Sequence, residues 1–204
     1  MADINLAAAK ARPARSDDDV AAAAGEPQWD VIELLFFAYR DFVGDPDDVL
    51  EKLGFGRAHH RVLHFVNRNR GMKVADLLDI LRITKQSLGR VLKQLVDEGY
   101  IVQKEGESDR RQRLLFVTDR GEKLALELAQ LQTVRITRAL DEVGPGAAEA
   151  AQKFLAAIID KDGREGVLSL IERANLARRI CWSSMTTAAS AVCYRGFCRA
   201  WVFA

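Results

Sequence analysis

Lys85, Gln86, Ser87, Arg90 and Lys93 bring three chemistries together on one short run of chain. Their ammonium and guanidinium groups can pair with phosphates. Their amide, hydroxyl and guanidinium groups can match the donors and acceptors on base edges. Leu88, Val91, Leu92, Leu95 and Val96 recur between them at helical spacing, so the segment is predicted to be an amphipathic helix with the polar groups outward. A polar helix face is commonplace on its own, and what surrounds this one matters more. Thr84 stands where a hydroxyl can accept from the free amides of a first turn, and Gly99 follows the last apolar turn as a left-handed stop. Further along, Asp109, Arg110, Arg111 and Arg113 form a second charged cluster.

The elements that must position these groups can be read from the flanking pattern. Val74 to Ile80 is predicted to be a short helix, with Leu81-Arg82-Ile83 as the turn into the helix that begins after Thr84. Tyr100–Lys104 and Gln112–Val117 read as two short strands, and the polar stretch from Glu105 to Arg111, with Gly106, suits a hairpin tip. A capped helix pair followed by a basic hairpin is the winged helix-turn-helix plan, which places one helix in a major groove. An arginine at the hairpin tip suits the negative potential of a narrow minor groove.

At this point the sequence resembles the MarR family of bacterial transcriptional regulators. The resemblance rests on Asp109-Arg110-Arg111, five further residues, then Val117-Thr118-Asp119-Arg120-Gly121, which fits the family's wing signature. Val117 departs from the usual leucine and keeps an apolar contact. Ile83-Thr84 and Gly99-Tyr100-Ile101 fall at the family's recognition-helix start and its helix-to-strand turn, and the likeness covers roughly residues 29 to 160. It implies that Arg111 enters the minor groove braced by Asp109, and that Lys85, Gln86, Ser87 and Arg90 face the major groove. It also implies a first helix paired with the C-terminal helices of a second protomer, and an aromatic or phenolic acid as effector.

Composition sets the bounds around this centre. The 204 residues allow one domain with extensions, and 49% hydrophobic with 29% charged residues is globular. No apolar run is long enough to cross a bilayer, no secretory signal opens the chain, and a cytoplasmic location is expected. The net charge of +1 hides an asymmetry: residues 57 to 120 hold 14 Lys and Arg against 8 Asp and Glu, while residues 1 to 56 hold 5 against 12. A basic reading head on an acidic support would steer DNA to one face.

Residues 1–27, rich in Ala with Pro13 and Asp17-Asp18-Asp19, are expected to be a flexible tail. Residues 28–56 are read as an N-terminal dimerisation helix and connector, with the helix from Trp29 to Val43 and the connecting segment starting at Asp45-Pro46-Asp47-Asp48. Trp29, Ile32, Phe36, Tyr39 and Val43 make one stripe, and Leu34, Leu35, Phe37 and Phe42 fill most of the rest. A helix apolar on nearly every side needs walls on several sides, and a second subunit is one such wall. Residues 57–121 form the expected winged helix-turn-helix region. His60 and His64 are spaced i, i+4, but no third or fourth metal ligand is evident, so no metal is expected. Asn67 to Gly71 offers two arginines to a DNA backbone.

Residues 122–172 are read as C-terminal dimerisation helices, broken at Gly144-Pro145-Gly146 and again at Gly163 and Gly166. Residues 173–204 differ in character: they carry no Asp or Glu, five arginines, Trp182, Trp201 and all three cysteines, Cys181, Cys193 and Cys198. That composition suggests a tail foreign to the domain, and a thiol-bearing redox tail is the alternative.

The expected fold is mainly α, a winged helix-turn-helix with a small β-hairpin wing plus a helical dimerisation region. The expected function is a homodimeric, sequence-specific regulator of transcription that binds double-stranded DNA at a pseudo-palindromic operator. DNA contacts fall to Thr84, Lys85, Gln86, Ser87, Arg90, Lys93, Asp109, Arg110, Arg111 and Arg113. A small effector would meet Trp29, Tyr39, Arg40, His60 and His64. No nucleophile–base constellation, metal motif or phosphate-cradling glycine loop appears, so no enzyme activity and no cofactor are expected. A winged-helix protein-interaction scaffold without DNA binding and a thiol-based redox-sensing regulator acting through the C-terminal cysteines are the rival readings.

Overall fold

Helix α1 (Trp29–Glu51) is the longest departure from the sequence reading, because it does not stop at Asp45-Pro46 but continues for five residues beyond the proline. The computed structural model describes residues 26–106 and 112–186. Pro46 has no amide hydrogen to give Phe42 O, the carbonyl four residues back, and a proline inside a helix costs about 3 kcal/mol when nothing compensates. Here Gln132 Nε2, from another helix, donates to Phe42 O at 3.5 Å. Beside it, Arg135 donates to Asp45 Oδ2 through Nε at 3.2 Å and Nη2 at 2.8 Å. Pro46 itself is buried with Val43 and Leu50, so the expected connector is a helical turn held in the core.

After Gly54-Phe55-Gly56 come α2 (Arg57–Arg68), β1 (Met72–Lys73), α3 (Val74–Leu81), α4 (Lys85–Asp97), β2 (Ile101–Glu105), β3 (Arg113–Val117) and α5 (Asp119–Val143). The two strands of the hairpin fall within one residue of their expected limits. They pair antiparallel from Ile101↔Val117 to Glu105↔Arg113. A third strand, β1, is not evident in the sequence: two residues pair with Leu114 and Leu115, giving the order β1-β3-β2. Gly71, at φ +80°, turns the chain into it, and its amide donates to Leu115 O at 2.8 Å.

One apolar core joins these pieces. Leu50, Val62, Leu63 and Val66 meet Leu77, Leu88, Leu95, Ile101, Leu115 and Leu128, all fully buried. The stripe expected on α4 is the one that enters it, with Leu88, Leu92 and Leu95 buried and Val91 and Val96 packed at the margin. The first part of α1 is different. Trp29, Leu34, Phe36, Phe37 and Tyr39 are exposed, Phe36 to 71% and Leu34 to 66%.

The chain divides into two units after Val143. The second contains α6 (Ala147–Ile158) and α7 (Lys161–Thr186). Gly144 and Gly146, at φ +94° and +83°, make the expected break. Gly163 and Gly166, however, lie inside α7 and do not interrupt it. An isolated glycine in a helix costs only about 1 kcal/mol, which the helix tolerates. The residue 172/173 boundary drawn from composition therefore falls in the middle of a helix. Cys193, Cys198 and Trp201 lie outside the described residues, as does the tail at 1–25. Among the described residues no helix is long and apolar enough to cross a membrane.

Candidate nucleic-acid interface

Helix α4 is started by a local device. Thr84 has extended backbone, and its Oγ1 accepts from Ser87 N at 3.0 Å while its hydroxyl donates to Ser87 Oγ at 2.9 Å. Ser87 is thus half-buried and tied into the cap, though its own hydroxyl proton stays available. Lys85, Gln86, Arg90 and Lys93 are exposed together on the face away from the core. Lys93 is engaged by the Asp97 carboxylate one turn on.

The turn before this helix holds the one non-glycine residue with positive φ among the described residues. Arg82 sits at φ 50°, ψ 44°, a left-handed conformation in which a non-glycine residue is strained by about 1 kcal/mol. It ends α3 by giving its amide to Leu78 O, and Arg61 Nη2 donates to Leu81 O at 3.3 Å.

The far end of α4 is locked by residues of the wing signature. Thr118 Oγ1 donates to Gly99 O at 2.7 Å and accepts from Gly121 N at 3.1 Å, which caps α5 onto the end of α4. Arg120 Nη1 donates to Glu98 O at 2.8 Å, and its guanidinium lies 4.2 Å over the Tyr100 ring. Gly121 is required by space: a Cβ there would stand 2.0 Å from Tyr100 O. The sequence places Thr118, Arg120 and Gly121 in the wing signature without showing these contacts.

The hairpin stands beside α4. Gly106 N donates to Gln112 O at 3.0 Å and closes its stem. Arg113 Nη1 pairs with Glu105 Oε1 at 3.0 Å across the strands, so part of its charge is satisfied within the wing. Asp109, Arg110 and Arg111 lie outside the described residues. Arg70, one of the two arginines between Asn67 and Gly71, pairs with Glu122 at 2.6 Å.

The five candidate effector contacts divide. His60 is buried on α2, and burial holds its imidazole below the ordinary range against the opposing pull of Asp47. His64, one turn on, is exposed, with its ring edge-on to Phe65 at 5.2 Å. Tyr39 is exposed on α1, while Arg40 pairs with Asp41 at 2.8 Å and lies 4.9 Å over Phe37. Trp29 is ten residues from Tyr39, about 15 Å along the helix axis, too far for one small ligand to touch both within a protomer. Asp47, which the sequence did not single out, accepts through Oδ2 from Arg57 Nε at 2.7 Å. Its Oδ1 is buried with no hydrogen-bond partner among the described residues.

Known proteins match this arrangement. A MarR family model covers residues 53–112. The HTH-type transcriptional regulator PetP of Rhodobacter capsulatus is 44% identical over 129 residues, which take in 63% of this chain and 78% of that protein. Streptococcus pneumoniae FabT, solved in complex with DNA, has a TM-score of 0.58 at 15% identity, covering 65% of this chain and 94% of its own. NadR, solved in complex with 4-hydroxyphenylacetate, has a TM-score of 0.55 at 20% identity, covering 73% of this chain and 100% of its own. At these identities the two structures speak for the fold alone.

Proposed function

The chain belongs to the MarR family of DNA-binding transcriptional regulators, and from that premise we propose that it works as a cytoplasmic homodimer on a pseudo-palindromic operator under the control of a small aromatic or phenolic acid. The observation that carries the DNA reading is α4 itself. It is capped at Thr84, tied at its far end by Thr118 and Arg120, buried along one stripe, and open along the face that bears Lys85, Gln86 and Arg90. Gln86 and Arg90 read base edges; Lys85 and Lys93 contact phosphates; Thr84 and Ser87 set the entry of the helix. Arg111, braced by Asp109 and flanked by Arg110 and Arg113, takes the minor groove.

The dimer is supported by α1, whose exposed Trp29, Leu34, Phe36, Phe37 and Tyr39 form more apolar surface than a monomer ordinarily leaves in water. A two-fold pair of α4 helices implies half-sites about 10 base pairs apart. The effector is supported by the unpartnered Asp47 oxygen and buried His60 at the junction of α1 and α2, close to Tyr39 and Arg57.

Selection of duplexes from a random pool, followed by gel shift with the winner, tests the reading. The expected result is one palindrome-like site bound by a dimer, with 4-hydroxyphenylacetate as a probe of the effector class releasing it. Failure to enrich any duplex would favour the scaffold reading. Enrichment without release by aromatic acids would remove only the effector.

A further inference from the structure

His59 and Gln94 form a polar bracket between α2 and α4. His59 Nδ1 accepts from Gly56 N at 3.1 Å, at the very start of α2. A ring nitrogen that accepts carries no proton, so the single proton of the neutral imidazole is on Nε2. That nitrogen faces Gln94 Oε1 at 3.0 Å and donates to it. The orientation of the Gln94 amide is thereby set, and its Nε2 donates to Gly54 O at 3.3 Å and to Glu98 Oε1 at 3.0 Å. The His59 ring stacks on Phe55 at 4.8 Å, and Phe55 meets Tyr100 edge-on at 5.1 Å. Every member of this chain has one direction of donation open to it.

The bracket does something the apolar stripe cannot. Leu88, Leu92 and Leu95 hold α4 against the core, but apolar contact is non-directional and allows a helix to roll by a few degrees. Hydrogen bonds to Gln94, placed on the half-buried flank, fix the roll and with it the aim of Arg90 and Gln86. Resting on the reading of α4 as the DNA-contacting helix, we propose that His59 and Gln94 are positioning residues for base recognition, and that they position α4 only while His59 is neutral. A second proton on Nδ1 would set N–H against the Gly56 N–H, and that contact must open.

The groups that face the imidazole settle where this occurs. Glu98, just past the end of α4, favours the protonated ring, while Arg120 of α5 lies over Tyr100. Desolvation is the larger influence and holds the ring below its ordinary pKa of 6.5. The bracket is accordingly intact at neutral pH and opens on acidification.

The test uses the full chain, the duplex selected by the wild-type protein, and a scrambled duplex of equal length, at one ionic strength from pH 8 down through the pH at which the His59 ring is seen to protonate in its proton resonances. The wild-type ratio of the two affinities is expected to stay flat through neutral pH and to fall roughly fivefold, the worth of a hydrogen bond, as the His59 ring takes its second proton. His59→Phe keeps a ring against Phe55 and should show the lowered ratio at every pH. Gln94→Leu should show the lowered ratio at pH 7.5, and it carries the comparison should His59→Phe not fold. A flat wild-type ratio, a wild-type pH profile in His59→Phe, or a wild-type ratio in Gln94→Leu would each overturn the inference. Those outcomes leave the DNA reading standing, whereas failure of the selection to enrich any duplex would overturn both.

Discussion

The Lys93 ammonium pairs with the Asp97 carboxylate one turn along the exposed flank of α4, so part of its charge is already answered within the helix. Such exposed pairs are worth well under 1 kcal/mol. Asp97→Asn should therefore strengthen binding to all duplexes alike, about two- to fivefold, and leave the preferred sequence unchanged. Titrations at several salt concentrations check this, and a change of preferred site would place Lys93 among the base contacts. Arg82 gives the opposite kind of test, since its left-handed conformation belongs to glycine. Arg82→Gly should raise stability by up to about 1 kcal/mol, or a few degrees in the thermal midpoint. At this scale the sequence speaks clearly where the chemistry is local. The Thr84 cap is legible because a hydroxyl before a helical run has few other uses. The His59–Gln94 bracket is not legible, because it joins residues 35 positions apart and depends on which imidazole nitrogen bears the proton.

Between elements, α5 approaches the turn between α4 and β2 closely at Gly121. Gly121 packs on the Tyr100 carbonyl with no room for a methyl group. Gly121→Ala must push α5 away from the strand or break the Thr118 cap, at a cost of roughly 1–3 kcal/mol. A fall of about 5–10 degrees in the thermal midpoint is expected. An unchanged midpoint would show that α5 can slide freely there. The wing signature pointed to this glycine through a resemblance, and only the packing gives its reason. Pro46 was misread for a physical cause too: a proline with three acidic neighbours is a good stop signal when no partner is known for Phe42 O. The partner is Gln132, 90 residues away, and nothing in the local pattern announces it. β1 escaped notice because two residues carry no periodicity.

Across the whole molecule, a basic head and an acidic, aromatic support were both visible in the sequence as charge balance and as the crowded apolar run of α1. If that run is a subunit contact, Phe36→Glu with Leu34→Glu should yield a monomer in sedimentation that keeps its helix content and loses operator affinity. A dimer that survives both changes would place the contact elsewhere. The composition change at residue 173 has no structural counterpart in α7, which runs on to Thr186. Pro46 has a further effect. It removes one rung from the hydrogen-bond ladder of α1, and Gln132 fills the vacant carbonyl from outside, so the two halves of the helix are not bound to melt together. The half after the proline shares the fate of the core through Leu50, while the half before it has no such anchor until Val43. Amide hydrogen exchange should show this as two classes within a single helix. Protection before Pro46 should rise with protein concentration, and protection after it should not. A single rate throughout α1, insensitive to dilution, would mean that the borrowed side chain restores the ladder in full.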